Sequence, residues 1–221
     1  MVNSTESTVP RMAGDERRKQ LLEVAMHLFS KNGFTGTTTK NVAEMAGVSE
    51  AMVFKHFANK DELYTAILDH KACSQGLENP FADVAEELEA KNDFGVFSGI
   101  ALNALNHHDE DRDFMRLLLH AALENHELSR MFFESFVKGF YEFLGNYISR
   151  RQKDGAFREA NPQVVVRAFV GMIIHHSLNK TLWDTGNTIL KISNEDAARE
   201  FSNILLKGIL SPAEQAEQNG N

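Results

Sequence analysis

Hydroxyl and lysine side chains that could bind phosphate recur along a short stretch of this chain, from Thr38 to Lys60. Lys60 follows Asn59 at the expected start of a helix, where a lysine opposes the helix dipole. A phosphate at that helix end would offset the cost, because the first backbone N–H groups of a helix already favour an anion. Lys40 and Lys55 have two interpretations, as phosphate contacts or as solvated surface lysines. The stretch therefore suggests contact with a nucleic-acid backbone.

Two short helices joined by a tight turn would position these side chains. Two helices that approach closely need a small residue in the first, which Ala43 supplies, and an apolar residue in the second, which is Val53. Gly47 stands where the first helix must stop, because glycine accepts positive φ at no steric cost. Ser49 follows as a candidate N-cap for a second helix at residues 50–56. This pattern is typical of a helix-turn-helix, whose second helix enters a major groove.

Residues 17 to 68 resemble the DNA-binding domain of the TetR family of bacterial transcriptional regulators. The resemblance rests on three segments, namely RRKQLLEVAMHLFSKNGF, TTTKNVAEMAGVS and VFKHFANKDEL. It implies a DNA-binding domain followed by a helical domain that dimerises and encloses a small-molecule pocket. We therefore expect an all-α fold, with an N-terminal three-helix helix-turn-helix domain and a larger helical-bundle regulatory domain.

The residues expected to contact DNA are hydroxyls, lysines and recognition-helix side chains: Thr38, Thr39, Lys40, Ser49, Ala51, Met52, Phe54, Lys55, His56 and Lys60. The family holds phosphate with a lysine at the place of Lys60 and with a nearby threonine hydroxyl. Phe54 departs from the family pattern, since a tyrosine hydroxyl usually binds phosphate there. Ala51 and Met52 can touch a thymine methyl but cannot make bidentate contacts to guanine or adenine, so the operator sequence stays open.

Charge and cysteine content narrow the class of protein. The chain has 221 residues and a net charge of −8, yet its first 60 residues hold eight Lys and Arg against six Asp and Glu. Contact with DNA is thus favoured at the N-terminal end only. A lone Cys73 excludes an internal disulfide and fits a reducing compartment. Because no signal peptide or long apolar run is evident, we expect a cytoplasmic protein without a membrane partner.

Composition and apolar periodicity divide the chain into four parts. These are a disordered arm at 1–14, the helix-turn-helix domain at 15–75, a ligand-binding and dimerisation domain at 76–210, and a tail at 211–221. The periodicity predicts a first helix at 15–32 and later helices at 81–91, 93–107, 111–124, 127–153, 162–184 and 194–209. Apolar residues on two faces of 127–153 predict that this helix is central.

The sixteen phenylalanines, most of them in the second domain, have two interpretations. They either fill an ordinary helical core or line an aromatic cavity between helices, which the family resemblance favours. The candidate pocket residues are Phe97, Leu102, Phe114, Leu118, Phe136, Phe140, Phe169, Ile173, His176 and Trp183.

The last two predicted helices carry apolar residues at helical spacing. In the family, the corresponding helices of two subunits pair into a dimer interface, and a dimer would also match a palindromic operator. The candidate interface residues are Val165, Phe169, Met172, Phe201, Ile204 and Leu205.

Metal binding and catalysis are disfavoured. The pairs His107-His108 and His175-His176 are sequence neighbours, which point about 100° apart on a helix and do not converge on one ion. No nucleophile elbow, phosphate loop or zinc-protease motif occurs. We therefore expect no cofactor, no metal and no enzymatic activity.

The expected function is that of a TetR-type repressor that binds a palindromic operator as a homodimer and is released by a small apolar or aromatic effector. Its partners would be double-stranded operator DNA, a small hydrophobic effector and a second copy of the chain. Two alternatives stay open. One is a DNA-binding architectural or partner-controlled protein with no small-molecule ligand. The other, an all-α enzyme with an accessory DNA module, lacks any catalytic motif.

Overall fold

The computed structural model of the protein describes residues 14–75 and 81–212. These residues fold into helices joined by turns, and an isolated antiparallel bridge joins Phe157 to Leu210. The expected all-α fold is confirmed. Residues 1–13 of the predicted disordered arm, the tail beyond Pro212 and the side chain of Cys73 lie outside the described residues. Within the described ranges, no helix is both long enough and apolar enough to cross a membrane.

The helices fall into an N-terminal and a C-terminal group. The first group is α1 (Gly14–Asn32), α2 (Thr39–Ala46), α3 (Glu50–His56) and α4 (Lys60–Gln75). The second group is α5 (Ala85–Glu89), α6 (Asp93–Glu110), α7 (Arg112–Leu123), α8 (Glu127–Phe132), α9 (Lys138–Lys153), α10 (Pro162–Leu178) and α11 (Asn194–Ile209).

Three predicted helices differ from those in the structure. The helix predicted at 81–91 is a 3-10 turn, Ala82–Val84, followed by the short α5. The chain breaks after α5 because Lys91 adopts a left-handed φ of 55°. The helices predicted at 127–153 and 162–184 are each interrupted by one π-helical turn, Phe133–Val137 between α8 and α9 and Asn179–Trp183 after α10. Such turns shift the phase of a helix's apolar face.

One hydrophobic core joins the first four helices to α7 and α8, and we call it the helix-turn-helix core. Its members from the N-terminal group include the buried residues Phe29, Val53 and Tyr64. Phe114 and Leu117 on α7 are buried in the same core. By packing, α7 and α8 therefore belong with the DNA-binding helices, although the predicted domain division falls at residue 75.

A second core, the C-terminal core, lies among α6, α9, α10 and α11. Phe97 and Phe169 are fully buried at its centre, with their ring centroids 5.1 Å apart. Leu144 and Ile148 bring the second half of α9 into this core. The segment predicted as one central helix therefore bridges the two cores, with α8 in one and α9 in the other. That division explains its two apolar faces, although Phe133 and Phe143 on it are largely exposed.

Candidate nucleic-acid interface

Local side-chain caps shape the two helices of the helix-turn-helix. The Thr38 hydroxyl accepts the Asn41 N–H at 3.1 Å, and the Asn41 side chain accepts the Thr38 N–H at 3.0 Å, which closes a capping box on α2. Gly47 ends α2 in a left-handed conformation, φ 67°. Ser49 caps α3 by accepting the Met52 N–H at 3.3 Å. The chain therefore turns where the sequence predicted.

The two helices brace each other through small and apolar residues. Ala43 on α2 and Val53 on α3 are both buried in the helix-turn-helix core. Phe57, which follows α3, is buried as well, and the Arg18 guanidinium lies 4.6 Å from its ring centroid. This packing leaves the opposite side of α3 free to meet a groove.

The exposed face of α3 is formed by Glu50, Ala51, Phe54 and Lys55. The Phe54 ring is 49% exposed, so it offers apolar contact without a hydrogen-bond donor. Met52 and His56, also predicted to contact DNA, are partly buried beside this face. Apart from Glu50, the members of this face were predicted DNA contacts.

The hydroxyls of Thr38 and Thr39 already have internal acceptors. Thr38 donates its hydroxyl proton to the Asn41 side chain at 2.6 Å, and Thr39 donates to Glu50 Oε1 at 2.6 Å. Since phosphate oxygens only accept hydrogen bonds, either hydroxyl would have to turn its proton away from these acceptors to bind phosphate, and the phosphate contacts of Thr38 and Thr39 stay predictions. Lys40 is exposed and lies 3.9 Å from Glu44 across one helical turn, so it is free to reach a backbone phosphate.

Lys60 binds the loop between α1 and α2. Its ammonium donates to the Phe34 carbonyl at 2.9 Å and to the Thr37 carbonyl at 3.0 Å, and lies 4.0 Å from the Phe34 ring centroid. An ammonium has three N–H donors, and the two carbonyls take two of them. The phosphate contact expected for Lys60 stays a prediction, and it would use the third N–H donor.

Phe34 is also held from the other side by the turn between α7 and α8. Glu124 Oε2 accepts the Phe34 N–H at 3.0 Å. The His126 ring lies 4.4 Å from the Phe34 ring and 4.6 Å from the Tyr64 ring. Burial, and then the charge of Glu124, raise the pKa of the Tyr64 hydroxyl, which donates to the Leu117 carbonyl at 3.3 Å. We call the contacts of Lys60, Glu124 and His126 with Phe34 the turn clamp.

Two side-chain pairs extend the contact between α7 and the DNA-binding helices. His27 Nδ1 on α1 lies 2.7 Å from Asp113 Oδ2 on α7. Lys71 on α4 pairs with Asp111, and both side chains are largely buried. Sequence periodicity did not reveal these links, because partners forty or more residues apart leave no local signal. The turn clamp, by contrast, has a local signal in the sequence, because in Gly33-Phe34 an aromatic residue follows directly after a helix stop.

The predicted pocket residues do not converge on one cavity. Phe97, Leu102, Phe140, Phe169 and Ile173 belong to the C-terminal core or pack against it. Phe114, Leu118 and Phe136 instead join the helix-turn-helix core, because α7 and α8 pack on the DNA-binding helices. Trp183, on the π-helical turn after α10, is 68% exposed and lines neither core. The single pocket drawn from the sequence is therefore corrected to residues in two separate cores.

Two surface grooves are open and have charged rims. The larger, of about 530 Å³, lies where α1 and α4 meet the corner between α6 and α7, and its lining includes Glu23, Lys71 and Asp113. The smaller, of about 400 Å³, lies between α5, α6 and α11, and Leu102 is its one lining residue from the predicted pocket set. Neither groove is an enclosed aromatic cavity.

His176 is buried in the C-terminal domain with one ring nitrogen unsatisfied. Its side chain is 9% exposed, its ring lies 5.6 Å from the Phe201 ring, and its Nε2 atom has no hydrogen-bond partner among the described residues. Burial, and then the charge of Lys180, lower the pKa of His176. Burial therefore favours the neutral form of the ring. No group of three or more metal-ligating side chains occurs in the described part of the chain.

The predicted dimer-interface residues also fall into two groups, one packed in the protein's own core and one exposed. Val165, Phe169 and Leu205 are buried in the protein's own C-terminal core, and Met172 and Phe201 are partly buried against it. Ile204 is 60% exposed on α11. On α10, Val164 is 63% exposed, one residue before the predicted Val165. The outward apolar face of α10 and α11 thus coincides with the predicted set only at Ile204, because neighbouring apolar residues hid which side faces the core.

Comparison with known proteins agrees with this architecture. The family model described as "Bacterial regulatory proteins, tetR family" matches residues 21–67, and "AefR-like transcriptional repressor, C-terminal domain" matches residues 99–207. The uncharacterized HTH-type transcriptional regulator YvkB of Bacillus subtilis is 24% identical over 86% of this chain and 96% of its own length.

Solved structures show the same fold. The SmeT–triclosan complex aligns with a TM-score of 0.66 at 18% identity, covering 90% of this chain and 94% of that one. AibR in complex with isovaleryl coenzyme A and operator DNA aligns with a TM-score of 0.63 at 20% identity, covering 86% and 98%. The two family models cover most of the chain, and they describe transcriptional regulators rather than enzymes. The protein belongs to the TetR family of bacterial transcriptional regulators.

Proposed function

We propose that this protein is a cytoplasmic, homodimeric transcriptional repressor that a small apolar or aromatic effector releases from its operator. Each chain presents the exposed face of α3 to a major groove, and the second copy presents the same face to the other half of a palindrome. The likeness to SmeT, which was solved with triclosan, and to AibR, which was solved with a small molecule and operator DNA, supports this proposal.

The turn clamp is the observation that carries the proposal. Phe34 lies directly before the segment that starts α2, and it is held by Lys60 on one side and by Glu124 and His126 on the other. A shift of the turn between α7 and α8 therefore acts on the loop that positions the helix-turn-helix. An effector that binds better to a shifted conformer lowers operator affinity by its differential affinity for the two states.

The C-terminal core supplies the effector site in this proposal. Phe97, Phe140 and Phe169 offer aromatic surface, and an effector would enter by separating helices that pack on one another here. The unsatisfied His176 Nε2 supports an effector with one polar atom, because a buried nitrogen without a partner costs about 1–3 kcal/mol that such a contact would recover. The effector is then mostly apolar with a single hydrogen-bonding group.

A DNA-binding protein with no small-molecule ligand is the second candidate. The division of the predicted pocket residues between two packed cores favours it. In that case the C-terminal domain serves dimerisation or a protein partner, and the turn clamp only stiffens the DNA-binding helices.

The test starts with selection of operators from a library of randomised duplexes. The purified protein is then screened by thermal shift against apolar drugs, fatty acyl compounds, aromatic acids and quaternary ammonium cations, since a ligand of the native state raises the melting temperature. Each hit is titrated into the protein–operator complex. We expect at least one hit that weakens operator binding. Operator binding without any hit across all four classes would support the ligand-free candidate instead.

Glu124→Ala tests whether the turn clamp transmits the signal. We expect this variant to bind the effector and the operator but to lose most of the effector's influence on operator affinity. Glu127→Ala is the matched control, because Glu127 is an exposed acid of α8 that pairs with Arg130 rather than with the loop. Equal effector responses in Glu124→Ala and the wild type would reject the clamp as the route of coupling.

A further inference from the structure

Glu50 is an acidic side chain on a surface that otherwise suits DNA. It is the first residue of α3 and is exposed there. The N-terminal residues of a recognition helix are the ones that contact base edges. A carboxylate in that place is repelled by phosphate, so it lowers affinity for DNA in general. Binding to the DNA backbone therefore does not explain why an acidic residue stands here.

The carboxylate is fixed by a neighbouring helix. Thr39, the first residue of α2, donates its hydroxyl proton to Glu50 Oε1 at 2.6 Å. This bond leaves Oε2 as the acceptor for a partner outside the chain, and it restricts the rotation that would otherwise let Glu50 fold away. The next residue, Ala51, is exposed and too small to screen Glu50 from a groove. The geometry is that of an oriented acceptor rather than of a mobile surface acid.

Major-groove chemistry selects one base for such an acceptor. Cytosine presents its N4 amino group as a donor with no acceptor on its own groove edge, whereas the adenine amino group lies beside the N7 acceptor, which repels a carboxylate. Guanine offers two acceptors on its groove edge, and thymine offers one acceptor and a methyl group. A fixed carboxylate is therefore compatible with a cytosine and is penalised at the other three bases.

We propose that Glu50 is a specificity-determining residue that reads a cytosine amino group in each operator half-site, and that Thr39 is its positioning residue. This inference rests on the proposed DNA-binding function and adds the base that the site selects. Thr39 thereby moves from the predicted phosphate contact to a role behind the base contact, because its hydroxyl proton is held by Glu50.

The competing explanation is that Glu50 only stabilises α3. An acid in the first turn of a helix interacts favourably with the helix dipole. Ser49 already caps α3 through the Met52 N–H, however, so the helix has its capping side chain without Glu50. The dipole role predicts an effect on stability, while the reading role predicts an effect on base preference, and the two can be measured separately.

The test is parallel selection from randomised duplexes with the wild type and the variants Glu50→Gln, Glu50→Ala, Thr39→Val and Thr39→Ser. Glu44→Gln is the matched control, because it removes one exposed acid from α2 without touching α3. Melting temperatures establish that each variant is folded. Glu50→Gln keeps the size of the side chain, so it remains informative even if Glu50→Ala is unstable.

We expect the wild type to enrich one C·G pair at symmetric places in both half-sites, with about tenfold discrimination against other bases there. Glu50→Ala should lose that preference and bind unrelated DNA more tightly, and Glu50→Gln should move the preference toward adenine. Thr39→Val should weaken the preference, and Thr39→Ser should restore it. Glu44→Gln should keep the wild-type motif.

The same wild-type motif, at every position, in Glu50→Ala and Glu50→Gln would overturn the assignment while leaving the proposed function intact. A wild-type motif without a symmetric C·G pair would overturn it as well. Failure of the wild type to enrich any sequence would instead remove both this inference and the proposed operator binding.

Discussion

His108 makes the stability of the C-terminal domain depend on pH. Its Nδ1 atom lies 2.9 Å from the Ser177 hydroxyl oxygen, and burial, followed by the charge of His107, lowers its pKa to about 4. Between pH 6.5 and pH 4 the unfolded chain therefore holds a proton on His108 that the folded chain does not. The free energy of unfolding falls as pH falls through this window, by on the order of 2 kcal/mol between pH 7 and pH 5.

Urea unfolding of His108→Gln at pH 7 and pH 5 measures this contribution. We expect the variant to lose less stability than the wild type over that interval. Some pH dependence should remain, because burial also lowers the pKa values of His70 and His176. An unchanged loss of stability in His108→Gln would contradict the assignment.

Replacement of two lysines near the DNA-binding surface should affect stability and the salt dependence of DNA binding differently. Lys60→Ala removes a cation from two carbonyls, so we expect a loss of about 1–3 kcal/mol in the free energy of unfolding. If its third N–H meets phosphate, the salt dependence of DNA binding also falls by about one unit. Lys55→Ala, at an exposed position of α3, should reduce the salt dependence without changing stability.

Unfolding curves and binding isotherms over a range of salt concentrations measure both effects. Wild-type stability in Lys60→Ala would reject the contact of Lys60 with the loop. A wild-type salt slope in the same variant would reject its phosphate contact.

At the scale of elements, two glycines end helices of the DNA-binding domain and differ in their surroundings: Gly33 follows α1 and faces the turn after α7, and Gly47 ends α2. Gly33 and Gly47 adopt nearly the same left-handed conformation, with φ values of 69° and 67°. A Cβ at Gly33 would clash with Glu124 Oε1, whereas a Cβ at Gly47 would meet nothing within 4 Å. Replacement of Gly33 therefore expels Glu124 from its bond to the Phe34 N–H, in addition to straining the backbone.

We expect Gly47→Ala to cost about 1–2 kcal/mol of stability and Gly33→Ala to cost about 1 kcal/mol more. In a Glu124→Ala background the excess cost of Gly33→Ala should shrink, because the displaced carboxylate is gone and only the His120 ring, whose Nδ1 lies 3.2 Å from the added Cβ, remains close. Urea unfolding of the single and double variants measures the difference. An excess cost of Gly33→Ala that is undiminished without Glu124 would contradict this account of the clamp.

Local signals made the helix-turn-helix predictable. The caps at Thr38 and Ser49 and the stop at Gly47 each act within three or four residues, so sequence alone located both helices. The same signals could not reveal the contact partners of Glu50 and Lys60, because those contacts are set by the packing of separate helices.

Long-range packing made the rest of the fold harder to predict. The periodicity of α7 showed an apolar face but not that this face packs on the DNA-binding helices, so Phe114 and Leu118 were placed in one predicted pocket with residues of the C-terminal core. The π-helical turns left no recognisable pattern, so Trp183 was counted in the helix predicted at 162–184 and among the pocket residues. On α10, the adjacent Val164 and Val165 are chemically alike, so the sequence did not show which faces outward.

At the scale of the whole molecule, the outward apolar face of α10 and α11 should join two copies of the chain. We expect Ile204→Glu to produce a monomer with a near-normal melting temperature, because Ile204 is 60% exposed and its loss leaves the C-terminal core intact. Leu123→Glu is the control, since Leu123 is 81% exposed on α7 and should leave the dimer unchanged. Sedimentation equilibrium measures the masses. If the Ile204→Glu variant were still a dimer, the interface would have to lie elsewhere.

The measurement that most directly tests the account is the mass of the complex between the protein and its selected operator, with and without a thermal-shift hit. We predict two chains on one palindromic duplex, far weaker binding to a duplex that holds a single half-site, and release of both chains when the effector is added. One chain per duplex, with equal affinity for half and whole sites and no effect of the hit, would contradict a dimeric, effector-released repressor.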